Sequence, residues 1–156
     1  AAVTVVTAML FWRLLTASIL MLLFGFLGET GMVGGSALVW WLLGTVCWLY
    51  IIYEIFRGEA AMLNKESKNE AGQMGFAALK WIVTIGWAIY PIGYLYGLEE
   101  TTILGVRITN TAYSLELINI IYNLADLVNK TAFGIAIWLA AKKDSEKREE
   151  RISFMP

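Results

Sequence analysis

The sequence predicts an all-α bundle of helices that cross a membrane, and three observations carry that prediction. Hydrophobic residues make up 58% of the 156-residue chain and the mean hydropathy is +0.62, more than a water-soluble domain of this size ordinarily carries. The apolar residues gather into four runs, each near the roughly 20 helical residues that span about 30 Å of hydrocarbon. None of the runs alternates with a period of two, so barrel strands are ruled out, and a backbone in lipid must satisfy its own hydrogen bonds as a helix.

The chain opens on "AAVTVVTAMLFW", apolar from its first residue and without the order of a signal peptide. The first helix is expected at about 9–27, marred only by Arg13. "GETGMVGG" (28–35) reads as a tight turn, and the second helix, about 36–56, holds Glu54 near its end. "RGEAAMLNKESKNEAGQ" (57–73) reads as a charged loop before a third helix at about 74–97, with Lys80 near its start. "LEETTILGVRITNTAYS" (98–114) reads as a longer loop, followed by the fourth helix at about 115–141. Residues 1–141 then form one transmembrane unit, and 142–156 a charged, solvated, partly disordered tail.

Charge placement orients the bundle and excludes several functions. With alternating helices, Arg13, Arg57, Lys65, Lys68, Lys80 and the tail "KKDSEKREER" share one side, which cations mark as cytoplasmic. Glu29, Glu99, Glu100 and Glu116 lie on the other side with a single cation, Arg107. The net charge of -1 leaves no basic footprint for nucleic acid, so the expected partner is the lipid bilayer. Cys47 stands alone in an apolar run as a small hydrophobe, which excludes a disulfide framework, and the absence of histidine excludes the usual zinc sets.

One pair resists this apolar pattern. In "INIIYNLADLVNKTAFGIAIWLAA" (118–141), Asp126 and Lys130 stand near mid-helix, four residues apart and so on one face. Lys130 is too deep to snorkel out, and an ionisable residue at that depth faces the bundle interior and marks function by default. A structural ion pair is one reading, although such pairs rarely recover their desolvation cost. The other is an amine whose desolvation favours the nucleophilic form, suited to condensing with an aldehyde, with Asp126 as the fixed anion for the resulting cation.

The third helix adds an aromatic stripe, since "GWAIYPIGYLYG" places Trp87, Tyr90, Pro91 and Tyr94 at i, i+3, i+4 and i+7. Such a stripe is ordinarily core, but Pro91 breaks a backbone bond inside it. Trp41, Gly44 and Trp48 share a face of the second helix, and Met21 and Gly25 of the first are four apart, with the glycine leaving room for bulk. Flat rings beside a gap suggest a slot for an elongated apolar ligand.

"GWAIYPIGYLYG" followed by "IYNLADLVNK" resembles the last two helices of microbial rhodopsins, most closely the proteorhodopsin branch. "LLFGFLGETG" and "WLYIIYEIFRGE" resemble its fourth and fifth helices. The resemblance implies four helices of a seven-helix microbial rhodopsin fold, with "AAVTVVTA" the end of the third and helices one to three missing upstream. It implies all-trans retinal as cofactor, bound to Lys130 as a protonated Schiff base with Asp126 as counterion. Trp87, Tyr90, Pro91 and Tyr94 match the wall along the polyene, Trp41, Gly44 and Trp48 the ring end, and Met21 and Gly25 the side opposite. Asn129 matches a colour-tuning position, and Tyr122 and Asn123 belong to the same motif.

The activity the resemblance implies is light-driven outward proton pumping rather than enzyme catalysis, by a multi-pass homo-oligomer of the plasma membrane with a cytoplasmic C-terminus. Sodium or chloride transport and sensory signalling to a partner are the alternatives, decided by the missing third helix and its proton acceptor. Glu54 reads as an interfacial carboxylate at a helix end, Glu29 as a residue of the first turn, and Lys80 as a snorkelling amine.

Overall fold

The computed structural model describes residues 7–97, 100–103, 106–109 and 112–154. The reading of residues 1–6 as the end of an earlier helix, and of Glu99 as an outer-side acid, lies outside them. Four helices among the described residues are long and apolar enough to cross a membrane.

Helix α1 (Ala8–Thr30) begins at Thr7, whose hydroxyl accepts the Leu10 N–H at 3.1 Å. It ends at Gly31, whose φ of 62° turns its N–H back to the Leu27 carbonyl at 3.1 Å. The stop is therefore Gly31 and not Gly28, which places Glu29 inside the last helical turn rather than in the loop. Helix α2 (Ala37–Phe56) returns antiparallel, with Gly44 against the Met21 carbonyl.

The expected loop at 57–73 instead contains helix α3 (Glu59–Glu66). Its N-cap, Gly58, has no side chain to offer, and the buried Glu54 carboxylate takes over by accepting the Glu59 N–H at 2.9 Å. A Cβ at Gly58 would collide with that carboxylate, so the corner needs glycine for space.

The third span is assembled from α4 (Glu70–Trp81), a π-helical turn (Ile82–Gly86) and α5 (Ile89–Gly97). Asn69 caps it, accepting the Gly72 N–H at 3.1 Å. The segment 98–114 holds a hairpin, β1 (Glu100–Ile103) paired antiparallel with β2 (Val106–Thr109), where a loop was expected. The β-branched runs on either side of Gly105 account for it.

Helix α6 (Ala112–Ser153) then continues through the expected disordered tail. Lys, Glu and Arg are strong helix formers, and the extension is anchored by Lys143 and Lys147 to Glu70 at 3.6 and 2.6 Å.

Small residues make the closest helix contacts: Gly75 faces the Ala140 methyl, a Cβ there lying 3.2 Å away, and Ala17, Ala71, Ala125 and Ala136 are buried. Large apolar side chains point outward, among them Leu22, Val46, Leu127 and Trp138, each at least 60% exposed. That is the pattern for a bundle whose solvent is hydrocarbon or further apolar helices.

Candidate functional site

The site lies where α6 crosses the break in the third span. In a regular helix each N–H bonds four residues back. Here the Trp87 N–H reaches five back to the Ile82 carbonyl (3.2 Å), and the Tyr90 N–H only three back to the Trp87 carbonyl (3.2 Å). Pro91 has no N–H at all. The Val83 and Gly86 carbonyls thereby lose their ordinary donors, and an unmet buried carbonyl costs about 1–3 kcal/mol.

Neighbouring side chains meet the need from both sides, Trp48 at Val83 and Asn129 at Gly86, and two further donors reach the Pro91 and Tyr90 carbonyls nearby. From α2, the Trp48 indole N–H donates to the Val83 carbonyl at 3.0 Å and the Trp41 indole to the Pro91 carbonyl at 2.8 Å. From α6, the Asn129 amide donates to the Gly86 carbonyl at 3.0 Å and the Tyr122 hydroxyl to the Tyr90 carbonyl at 3.0 Å. Gly93 lets Tyr122 close in, since a Cβ there would lie 2.5 Å from its ring.

On the same stretch of α6, Lys130 Nζ pairs with Asp126 Oδ2, and the Tyr90 hydroxyl donates to Asp126 Oδ1. Both carboxylate oxygens are therefore committed, one to a cation and one to a neutral donor. The expected seclusion of the amine is not found within this chain, because the Lys130 side chain is 76% exposed and that of Asp126 44%. Helix α6 packs chiefly against the third span, and its Lys130 side chain stands open.

The other expected residues have different tasks in the structure. Gly25 has nothing within 4 Å of where a Cβ would stand, so no packing contact within the described residues requires the glycine. Gly44 instead permits close helix contact, its would-be Cβ lying 3.4 Å from the Met21 carbonyl. The Tyr94 hydroxyl donates to the Ala37 carbonyl at 3.2 Å and presses against Gly28, which ties α5 to the α1–α2 turn. Trp87 is half-buried just after the π turn.

The profile of the family described as bacteriorhodopsin-like protein matches residues 2–144. The chain belongs to the bacteriorhodopsin-like family. It is 41% identical over 149 residues to a blue-light absorbing proteorhodopsin from Gamma-proteobacterium Hot 75m4, covering 93% of this chain and 53% of that protein. It is 38% identical over 148 residues to a green-light absorbing proteorhodopsin from Gamma-proteobacterium EBAC31A08, with the same coverages of 93% and 53%. The crystal structure of Exiguobacterium sibiricum rhodopsin superposes with a TM-score of 0.74 at 29% identity, over 92% of this chain and 63% of that one. The chain thus spans about half the length of the curated relatives it matches.

Reading the sequence of this bacteriorhodopsin-like chain missed the carbonyl partners Val83 and Gly86, because nothing in a residue type announces a displaced backbone bond. Pro91 was the available signal, and it marks the break without saying which carbonyls it frees. A second cluster at the charged end was also missed. Glu54 accepts the Tyr50 hydroxyl at 3.0 Å and lies 3.7 Å from Arg13, which also pairs with Glu59, itself accepting the Thr7 hydroxyl at 2.6 Å. Glu54, expected as a helix-end carboxylate, does stand near the end of α2, where it is only 3% exposed and anchors this cluster. The Lys80 ammonium sits 4.6 Å over the Phe56 ring.

Proposed function

We propose that this chain is the fourth-to-seventh-helix part of a retinal-binding, light-driven outward proton pump, with Lys130 as the attachment point. The observation that carries the reading is an amine at mid-span beside a carboxylate whose second oxygen is fixed by a tyrosine. The residues fit the cofactor. Lys130 is the amine within the fourth apolar run, Asp126 a fixed anion one turn away, and the open space at Gly25 admits bulk. Bound all-trans retinal would supply a light-absorbing polyene and an aldehyde carbon for the amine.

The chain's own residues then have distinct tasks. Asp126 stabilises positive charge at the lysine nitrogen, and the Tyr90 hydroxyl holds that carboxylate in one orientation. Trp41 and Trp48 are held in place by their carbonyl partners, so their rings are preorganised walls rather than mobile ones. Trp87, Tyr94, Pro91, Met21 and Gly44 complete the proposed lining.

Three upstream helices would cover the open Lys130 face, exclude water from it and carry the proton acceptor, a reading supported by the half-length match to both relatives. The protein would sit as a homo-oligomer in the plasma membrane, with the end bearing Arg13, Lys80 and Lys143 in the cytoplasm.

Adding all-trans retinal to the full-length protein in lipid should give a visible absorption band that Lys130→Ala abolishes. Colour surviving in that variant overturns the attachment. Light should then acidify a suspension of cells making the protein, with a protonophore abolishing the change; a coloured protein that moves no protons overturns the pump.

A further inference from the structure

Asn129 stands next to Lys130 in sequence, yet its amide is engaged across the helix interface. Its partner, the Gly86 carbonyl, has no alternative within its own helix. The donor four residues on, the Tyr90 N–H, is turned to Trp87, and the residue five on is Pro91, which has no N–H. The Asn129 amide meets this carbonyl at 3.0 Å. Gly86 permits the approach, because a Cβ there would run into the Asn129 amide. A donor, an orphaned acceptor and a glycine gap thus converge at one point.

We propose that Asn129 is a positioning residue: its amide clamps the broken register of the third span and fixes the turn of α6 that carries Lys130, so displacement at the lysine and opening of the break are mechanically one event. The clamp stands on geometry alone, whereas its link to light rests on the retinal reading. Tyr90 reinforces the link from the other side, since its hydroxyl donates to Asp126 and its carbonyl accepts the Tyr122 hydroxyl. Both bridges join the same two segments, one turn apart on each.

The test is backbone amide hydrogen exchange in the full-length protein in lipid nanodiscs, followed over residues 82–91 and, as a control, over α2. Asn129→Leu keeps the size of the side chain and removes its amide. Gly86→Ala reaches the same bond from the carbonyl side, and covers the case in which the first variant fails to fold. Either variant should speed exchange over 82–91 by about tenfold or more, with or without retinal, and leave the α2 control unchanged. Rates within about twofold of wild type over 82–91 overturn the clamp.

Illumination of the retinal-loaded wild type should raise exchange over 82–91, and that light-dependent difference should vanish in Asn129→Leu. Its persistence at full size overturns the coupling. A wild type that never takes up colour overturns the retinal reading and leaves the dark comparison to judge the clamp by itself.

Discussion

The middle of the third span and the charged end of the bundle solve the same problem, an interrupted helix, with opposite chemistry. At the middle, the two displaced carbonyls are met by neutral donors, the Trp48 indole and the Asn129 amide, while the Trp41 indole and the Tyr122 phenol reach the neighbouring Pro91 and Tyr90 carbonyls. At the charged end, the gap between α2 and α3 is closed by the Glu54 carboxylate with Arg13 and Glu59, and the start of α4 is held by Glu70 with Lys143 and Lys147. A hydrogen-bonded neutral donor gives up far less on leaving water than an ion, which gives up several kcal/mol unless paired or near the interface. Depth therefore selects the kind of bond. Against that rule Asp126 and Lys130 stand out, being ions at the level of the neutral donors, and the exception marks the site.

The largest break in the comparison should come from Glu54→Ala. It removes the cap of α3, orphans the Tyr50 hydroxyl and leaves Arg13 with Glu59 alone, which should cost about 3 kcal/mol, read as a lower midpoint in detergent-induced unfolding. Glu54→Gln keeps an acceptor and should lose less; equal losses would mean that volume, not hydrogen bonding, holds the corner.

A smaller effect is expected at the middle, where Trp48→Phe keeps an aromatic ring, though a smaller one, and deletes the donor to Val83. The expected loss is about 1–2 kcal/mol, and it should not vary with ionic strength because no charge takes part. A loss that salt erases would show that the neutral description of the break is wrong. The smallest effect should follow Glu70→Gln, because Glu70 is 61% exposed and its lysine partners 39% and 41%, so solvent screens the pairs. Its unfolding midpoint should differ from wild type only at low salt; a difference that persists near about 1 M salt would place the latch in a drier setting than its exposure indicates.

The regions differ in how much a reader of the sequence sees. Four apolar runs and the Asp126–Lys130 spacing are written in residue types and intervals, so the spans and the paired face follow from them, while the family rests on the resemblance of longer motifs and on the profile match. The charged tail reads as solvated and partly disordered because its helix is fixed from outside, by Glu70 some seventy residues upstream in sequence. The loop at 57–73 is misread for the same reason, since α3 takes its cap from α2 rather than from its own N-cap residue.

What the sequence determines by itself is local: how long each run is, which residues share a helical face, and that Pro91 must interrupt the third span. What only the tertiary structure decides is who answers the interruption. Which carbonyls Pro91 and the π turn release depends on backbone register, and which donors reach them depends on how three helices pack side by side. Hydrogen bonding within a helix is a property of neighbours in sequence, but a carbonyl that has lost its neighbour can be satisfied only by proximity in space.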